Sequence, residues 1–284
     1  MDSDTSLVDL VDLDRYPLGV LDGAVGGALV AGARAQLAQM GAAELPGFVG
    51  PAGVDRLVED AESLATRAHH SGGEGTAYLE FPDFNLPPEH PRLRFAPYGV
   101  GAVGYDIVPR SSPLRRVYES EAVLAMIGRI LDRGPLYRYG DPFGALNLSV
   151  MAAGDELQWH FDQTDFVVSL AIQSAEAGGD FEVVPRIRRS GDENYPGVAR
   201  VLDGTAAEGD PPVVTLAMTP GTLLIFEGRN SLHRVSPIAG SRLRHVGLLA
   251  YDTAPGTMGS DLLRMDRYGR TEPFAEPPDR WPAA

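Results

Sequence analysis

Apolar residues recur at helical spacing in the first quarter of the chain. Within residues 22–70 they lie three or four positions apart on both sides of Pro46, and this period predicts two helices. A third helix is predicted from Pro113 to about Leu131, because two serines precede it as capping residues and proline is favoured at the first helical position. Residues 72–112 are rich in glycine and proline, so they are predicted to be irregular.

The pattern changes after Pro135 to short apolar runs separated by Gly, Pro and Asp, which predicts the strands of an antiparallel barrel. Residues 186–210 are charged and rich in glycine, and they are predicted to form either a lid over the barrel mouth or a plain solvated loop. We therefore expect a single domain over residues 1–284. Its parts are a helical and irregular region at 1–134 that packs on the barrel, a barrel core at 135–254 and a C-terminal tail at 255–284.

Composition narrows the class of protein. A chain of 284 residues, 44% of them hydrophobic, can bury one large core. The formal net charge of −15 argues against nucleic acid as a partner, and it fits equally a small cationic or zwitterionic substrate and a merely soluble acidic enzyme. The absence of cysteine excludes disulfides and zinc–thiolate sites. Neither a secretory signal nor an apolar run of membrane-spanning length is found, so we expect a cytoplasmic protein without membrane contact, and a homodimer is compatible with the sequence.

Candidate chemistry centres on the segment Trp159-His160-Phe161-Asp162. Side chains alternate along a strand, so His160 and Asp162 would point the same way and could bind one ion together. His233, which follows a later apolar strand, can supply a third ligand. Two imidazoles and one carboxylate leave the opposite face of the ion open, which is typical of non-haem Fe(II) enzymes that bind a cosubstrate and O2 side by side.

Two arginines follow the distal histidine. Arg242 and Arg244 open an apolar strand that continues to Tyr251, and a period of two predicts that both lie on one face of it. A guanidinium makes two parallel charge-assisted hydrogen bonds to a carboxylate. Either arginine would therefore suit a carboxylate-bearing cosubstrate, and the Gly-x-Arg context favours Arg242.

With these residues the chain resembles the Fe(II)/2-oxoglutarate-dependent dioxygenases, whose signature is H-x-D, a distal His, and an Arg or Lys a short distance later. The resemblance implies a mainly β fold with flanking helices, the double-stranded β-helix or jelly-roll, cupin-like barrel. It also implies that 2-oxoglutarate is cleaved to succinate and CO2 with O2 as the oxidant. The implied iron ligands and catalytic residues are His160, Asp162 and His233, and the implied 2-oxoglutarate contacts are Arg242 or Arg244, supported by Asn147.

Several stretches are similar, more narrowly, to the free-amino-acid halogenases and their hydroxylating relatives. They include Asp141-Pro142-Phe143-Gly144 and Tyr268-Gly269-Arg270. A halogenase of this subgroup has Gly or Ala in place of the carboxylate ligand, so that halide can occupy that position. Because Asp162 stands there, the resemblance implies hydroxylation of a small substrate, a free amino acid or a related metabolite. Desaturation or cyclisation stays open, as does a non-oxidative metal-dependent enzyme with a cupin-like fold.

Contacts with the substrate are predicted from position along the chain alone. Asp141 would supply an acid for an ammonium group, and Arg94 would supply a base for a carboxylate. Other residues would line the barrel mouth or fold back as a C-terminal cover. For each of them, turn formation or ordinary strand packing is an equal alternative. The mouth residues are Gln163, Thr164 and Asp165, and the cover residues are Tyr268 and Arg270.

Overall fold

Two antiparallel sheets form the centre of the molecule. The computed structural model describes residues 7–205 and 207–275. Among these residues, the larger sheet has seven strands, in the order β1 (Ala42–Leu45), β10 (Leu223–Phe226), β7 (Val167–Gln173), β12 (Arg244–Leu249), β5 (Leu146–Met151), β3 (Phe95–Gly104) and β2 (His69–Thr76). The smaller sheet, within the same ranges, has four strands, in the order β6 (Leu157–His160), β11 (Leu232–Val235), β8 (Phe181–Val184) and β9 (Val214–Leu216). A separate ribbon pairs β4 (Tyr137–Arg138) with β13 (Tyr251–Asp252).

The two sheets pack face to face through an apolar interior. Met151 and Leu224 of the larger sheet share one buried cluster with Val183 and Val235 of the smaller sheet. Strands that are distant in sequence lie side by side, because β7 sits between β10 and β12, and β11 sits between β6 and β8. This is the mainly β double-stranded β-helix with flanking helices that the sequence predicts, and the prediction is confirmed.

Helices pack beside the larger sheet and add a second apolar cluster. The helices of the N-terminal half are α1 (Ala24–Met40), α2 (Pro51–Ala65), α3 (Pro113–Glu119) and α4 (Glu121–Leu131). Their buried residues share one cluster with the outward-facing residues Leu148 and Leu170 of the larger sheet. Both α1 and α2 lie where the helical period predicts them. No helix in the part of the chain that the structure describes is long and apolar enough to cross a membrane.

The predicted third helix is instead two helices. Ser120 interrupts it with an extended backbone at φ −69° and ψ 125°. Its Oγ accepts a hydrogen bond from the backbone N–H of Val123 at 3.4 Å, so it caps the start of α4. The apolar period runs through this break without a gap, which is why periodicity alone predicts a continuous helix.

The segment predicted to be irregular, 72–112, contains much of a long antiparallel ladder. Pairing between β2 and β3 runs from His69 with Ala102 to Thr76 with Phe95. Glycines in β3 serve close packing here rather than turns. A Cβ on Gly101 would lie 2.9 Å from a backbone oxygen of the neighbouring strand. The prediction of irregular structure was therefore wrong, and the larger sheet draws three of its strands from residues before 135.

The segment 186–210 packs beside the smaller sheet rather than over the barrel mouth. It contains α5 (Tyr195–Leu202), whose residues Val198 and Val201 are buried in one cluster with Phe161. None of the described residues in this segment lines the central cavity. The C-terminal tail predicted at 255–284 contains α6 (Asp261–Tyr268), which lies against β2 and β3. Residues 276–284 of that tail, and 1–6 of the predicted N-terminal region, fall outside the described residues.

Candidate metal centre

Two histidines from distant parts of the chain lie side by side on the smaller sheet. His160 is the last residue of β6, His233 lies in β11, and the two are register partners in this antiparallel pair. Their ring centroids are 4.2 Å apart. Both side chains line the cavity between the sheets, so the pairing directs two imidazoles toward one point.

Asp162 joins the two histidines just beyond the end of β6. Its Oδ1 lies 3.9 Å from His160 Nε2, and its Oδ2 lies 3.4 Å from His233 Nε2. One ligand atom from each of the three residues lies within 4.8 Å of the others. The backbone N–H of Asp162 donates to the carbonyl of Gly228 at 3.1 Å, which holds the chain in place where the strand ends. The structure thus brings together the three residues that the sequence predicts as metal ligands.

Backbone carbonyls set the orientation of both imidazoles. His160 Nδ1 lies 2.7 Å from the carbonyl oxygen of Gln158, and His233 Nδ1 lies 2.9 Å from that of Ser231. A carbonyl oxygen can only accept, so each Nδ1 carries the proton and donates it. Each Nε2 atom therefore faces the cavity, in the orientation that metal-bound histidines have.

The donor set fits a divalent metal ion. Asp162 Oδ2 is buried and has no hydrogen-bond partner among the described residues. Such an oxygen is costly to bury, and a cation at this point would remove that cost. A Cβ on Gly228 would overlap Oδ2 and lie 2.7 Å from Asp162 Cγ, so glycine preserves the space that the carboxylate occupies. Two imidazoles and one carboxylate are the ligands that non-haem Fe(II) takes in oxygenases.

Burial and mutual charge shift the protonation of the three residues. Burial lowers the pKa of His160 to about 4, and the charge of His233 acts in the same direction. Burial also acts to lower the pKa of His233, but the Asp162 carboxylate outweighs it and raises that pKa. Burial acts to raise the pKa of Asp162, but the charge of His233 outweighs it and lowers that pKa. At neutral pH His160 is therefore neutral and Asp162 ionised, which are the forms that bind a metal.

A cavity of about 350 Å³ opens onto the triad between the two sheets. Small-molecule sites commonly have volumes of about 300 to 1,000 Å³, with mostly apolar walls and a few convergent polar groups. The volume of this cavity lies within that range. Its walls are mostly apolar, with residues such as Val167, Leu224 and Val246, and the polar triad converges on it. The cavity can therefore hold small molecules against the triad.

Arg244 is the buried cation of this cavity. It is the first residue of β12 and is only 7% exposed. Its Nε donates to the carbonyl of Gly179 at 3.0 Å, and its Nη1 lies 3.7 Å from the sulfur of Met151. Burial lowers the pKa of Arg244 to about 10, so it is charged at neutral pH. No carboxylate among the described residues forms an ion pair with it, which leaves part of the guanidinium for an incoming anion.

Arg242 lies outside the cavity. Its exposed side chain donates to the carbonyls of Ser174 at 2.8 Å and Ala175 at 3.0 Å. Since β12 begins only at Arg244, Arg242 belongs to the preceding turn, and the period of two does not apply to it. The prediction that both arginines share one strand face was therefore wrong, and the structure places Arg244, not the favoured Arg242, in the cavity.

Asn147 and Tyr268 meet inside the cavity. Asn147 lies in β5, and its Nδ2 donates to Tyr268 Oη at 2.8 Å. The ring of Tyr268 also packs on Phe143 with a centroid separation of 5.3 Å. Burial raises the pKa of Tyr268 to about 12, so its hydroxyl stays protonated at neutral pH. These contacts attach α6 to the larger sheet, in the covering position that the sequence predicts for Tyr268.

Asp141 lines the cavity, but its carboxylate is already occupied. Oδ1 accepts from the backbone N–H groups of Phe143 at 2.8 Å and Gly144 at 3.3 Å, and Oδ2 accepts from Gly259 at 2.5 Å. Arg264 Nη2 also lies 3.4 Å from Oδ2. This corrects the prediction that Asp141 offers a free acid to a substrate ammonium group, because the carboxylate instead holds its own turn and the C-terminal segment together.

Of the three residues predicted at the mouth, only Thr164 lines the cavity. Gln163 Nε2 donates to the carbonyl of Tyr78 at 3.0 Å. Asp165 forms ion pairs with two surface arginines, at 3.0 Å and 2.6 Å. Gln163 and Asp165 were therefore placed wrongly, because their side chains are engaged outside the cavity while Thr164 between them lines it.

Arg94 and Arg270 also lie outside the cavity. Arg94 pairs with Asp203 at the end of α5. Arg270 donates to both carboxylate oxygens of Asp106, at 2.6 Å and 2.8 Å. The predicted substrate contacts of both residues are corrected, because each guanidinium is engaged in an ion pair that anchors a surface segment.

Sequence reasoning missed residues of two kinds. One is Gly228, whose missing side chain gives Asp162 its space. The other is the inner face of α6, where Leu263, Arg264 and Arg267 line the cavity. Their spacing of one, three and four positions is a helical signal, so extending the search for a helical period into the tail would have found the helix, although not its position at the cavity.

Comparison with known proteins decides the family. A model described as halogenase D matches residues 97–258, which is more than half of the chain and includes all three triad residues. The chain belongs to the halogenase D family. No curated protein matches this family member in sequence.

Several solved enzyme structures share the fold of this family member. The non-heme α-ketoglutarate-dependent epimerase SnoN from nogalamycin biosynthesis superposes with a TM-score of 0.57 at 15% identity, over 89% of this chain and 95% of that one. A prolyl hydroxylase from Trichoplax adhaerens gives 0.51 at 16% identity, over 83% and 92%. A 2OG-Fe(II) oxygenase family oxidoreductase from Burkholderia pseudomallei gives 0.50 at 16% identity, over 80% and 92%.

The solved structures show that the fold is shared, and the match to the family model shows the family to which the chain belongs. Together with the triad, they confirm the predicted Fe(II)/2-oxoglutarate-dependent oxygenase superfamily. The predicted enzyme class and its requirement for iron, 2-oxoglutarate and O2 are confirmed with it. The chain is therefore an oxygenase of this superfamily.

Proposed function

We propose that this enzyme hydroxylates an unactivated C–H bond of a small substrate, a free amino acid or a related metabolite. The substrate C–H bond, O2 and 2-oxoglutarate would be converted to C–OH, succinate and CO2, which balances the atoms and electrons. Iron with 2-oxoglutarate and O2 supplies the oxidising chemistry when bound. The protein contributes ligands, position and an apolar cavity that excludes water.

The observation that carries this proposal is the carboxylate at position 162. Asp162 is fixed by a backbone hydrogen bond to Gly228, and its Oδ2 lies 3.4 Å from His233 Nε2. A halogenase needs that coordination position for halide, as the family resemblance implies. With a carboxylate there, halide has no place on the ion, which favours transfer of oxygen over transfer of chlorine.

Each polar group of the cavity has a place in this reaction. His160, Asp162 and His233 would hold iron through one triangular face. Arg244 would pair with the distal carboxylate of 2-oxoglutarate, since it is the buried cation whose guanidinium is free of any carboxylate partner in the described chain. The hydroxyl of Tyr268, oriented by Asn147, would bound the substrate side of the cavity.

The proposal is tested by aerobic incubation of the protein with iron, 2-oxoglutarate, chloride and a panel of free amino acids. We expect succinate, together with a product heavier by one oxygen atom that takes its label from ¹⁸O2. A product lighter by two hydrogens would replace hydroxylation by desaturation or cyclisation. A chlorinated product, or turnover under strict anaerobiosis without 2-oxoglutarate, would contradict the proposal.

Two aspartates three positions apart provide a matched pair of variants. Asp162→Ala removes a ligand and should abolish succinate formation coupled to substrate. Asp165→Ala removes a carboxylate that pairs with arginines on the surface outside the cavity, so it should retain activity. Equal activity in the two variants would show that Asp162 does not hold the metal.

A further inference from the structure

The helix α6 carries two arginines into the cavity, and their surroundings differ. Arg264 lies 3.4 Å from the carboxylate of Asp141 and 3.2 Å from that of Asp261. Arg267, one turn later, also lines the cavity and is half-buried. It makes no hydrogen bond or ion pair with any residue in 7–205 or 207–275. Once Arg244 is assigned to 2-oxoglutarate, Arg267 is therefore the cavity guanidinium that is left without a carboxylate paired to it among the described residues.

The other charges of the cavity are matched once the cosubstrate and metal are bound. Among the described lining residues, Asp141 and Asp162 are the acids, and Arg244, Arg264 and Arg267 are the bases. Asp141 is neutralised by Arg264, and Asp162 belongs to the metal centre. The two charges of ferrous ion and the two of 2-oxoglutarate cancel. Asp162 then offsets one of the two remaining arginines, Arg244 and Arg267, so the cavity keeps a net charge of about +1.

We infer that Arg267 binds the carboxylate of the substrate, and that the substrate is an aliphatic carboxylic acid or amino acid without a cationic side chain. The inference rests on the proposed function, because it assigns the substrate of that same site. A guanidinium recognises a carboxylate through two parallel hydrogen bonds, which fixes direction as well as distance. Arg267 is on the covering helix, so the anchored carboxylate lies at the α6 side of the cavity.

The lining also explains what the site rejects. A substrate with a cationic side chain needs a free carboxylate in the wall, and both described lining acids are engaged. The remaining wall near α6 includes Val100, Leu248 and Leu263, which suit an aliphatic chain. Discrimination between substrates should therefore follow charge, with a carboxylate required and a second ammonium group excluded.

The test measures binding by calorimetry, with the full-length protein loaded with Mn²⁺ and saturating 2-oxoglutarate. The probes are 4-methylpentanoate against 4-methylpentanamide, which have nearly the same shape but differ in charge and in one hydrogen-bonding group, and leucine against lysine. In the unaltered protein we expect the carboxylate to bind on the order of tenfold or more tighter than the amide, and leucine tighter than lysine by a similar factor. Arg267→Gln should reduce the first ratio to within about twofold, and Arg267→Lys should restore part of it.

Two controls test whether the carboxylate preference arises from Arg267 rather than from surface charge or from altered 2-oxoglutarate binding. Arg189→Gln removes a positive charge from a side chain that is 81% exposed, and it should leave both ratios unchanged. Arg267→Gln should keep the affinity for 2-oxoglutarate, because that role is assigned to Arg244. The inference is overturned if no carboxylate binds, if the amide binds as tightly as the carboxylate, if lysine binds as tightly as leucine, or if Arg267→Gln keeps the discrimination.

The same samples distinguish failure of the inference from failure of the proposed function. Succinate released from 2-oxoglutarate, without any preference for carboxylates, would overturn the Arg267 anchor and leave the oxygenase proposal in place. A carboxylate preference that depends on Arg267, without any hydroxylated product, would overturn the proposed function and leave the anchor in place.

Discussion

Replacing Gly228 by alanine tests the metal centre without changing any ligand. The added Cβ would overlap Asp162 Oδ2 and would lie 2.7 Å from its Cγ and 2.9 Å from its Cβ. Carbon atoms in ordinary contact are about 3.5 to 4.0 Å apart, so the carboxylate must move by roughly 1 Å. The backbone of Gly228 has no positive φ, so the effect is one of space rather than of backbone strain.

A shift of this size is large on the scale of metal coordination. Ligand distances are held to within about 0.2 Å, and disturbing a residue that supports a ligand costs about 10- to 100-fold in metal affinity or activity. We therefore expect Gly228→Ala to weaken Mn²⁺ binding by about that factor, while secondary structure by circular dichroism is unchanged.

The assay is calorimetric titration of metal-free protein with Mn²⁺, with succinate formation as the second readout. Gly32→Ala is the matched control, because a Cβ there meets nothing within 4 Å and the residue lies inside α1. That variant should bind metal normally and be stabilised by up to about 1 kcal/mol. Unchanged metal affinity in Gly228→Ala would refute the assignment of Asp162 as a ligand held in place by this glycine.

Two further predictions concern the cosubstrate clamp and the fold. Arg244→Gln should weaken 2-oxoglutarate binding by about 2 to 4 kcal/mol, because it removes a buried charge from the cosubstrate carboxylate, whereas the exposed Arg242→Gln should change it by less than about 1 kcal/mol. Titration of the two Mn²⁺-loaded variants with 2-oxoglutarate measures both losses. Equal losses would contradict the assignment of Arg244 as the residue that binds 2-oxoglutarate. Ser120→Ala should lower the free energy of unfolding by about 0.5 to 2 kcal/mol in a urea titration, and Ser120→Gly by only a few tenths, since glycine is tolerated as a cap. A larger loss with glycine would show that Ser120 acts otherwise than as a cap.

The triad could be predicted from the sequence because two of its three ligands lie two positions apart, in a motif whose residue types favour few metals. The alternation of side chains puts His160 and Asp162 on one side, and only a few metals prefer two imidazoles and a carboxylate. In the structure Asp162 lies just past the end of β6, yet it still reaches the histidines. The predicted strand was therefore two residues too long. The prediction of the ligands still holds, because two residues of backbone are too short to separate His160 from Asp162.

The arginine clamp shows where local spacing fails. The choice between Arg242 and Arg244 depends on where β12 begins, and a register shift between His245 and Val246 shows how irregular that end of the strand is. Strand ends are fixed by pairing with β5 and β7, which are distant in sequence. Such tertiary pairing leaves little trace in the neighbouring residues, so the sequence could not decide.

The sequence did not predict the glycine-rich strands β2 and β3 or the covering helix α6, for different reasons. In β2 and β3 the glycines give neighbouring groups room, as at Gly99, where a Cβ would lie 2.7 Å from Asp155 Oδ1. Composition cannot tell such a glycine from one in a turn. The position of Arg267 depends on how α6 packs against β2 and β3, and no local pattern encodes that packing.

The central claim is that His160, Asp162 and His233 hold one iron that also binds 2-oxoglutarate. Anaerobic titration of the protein with Fe(II) and 2-oxoglutarate, followed through the visible charge-transfer absorption of their complex, tests it most directly. We predict saturation at one iron per chain in the unaltered protein, loss of the band in His233→Ala, and its retention in His90→Ala, whose histidine lies outside the cavity. A band that persists in His233→Ala, or that never forms in the unaltered protein, would contradict the account.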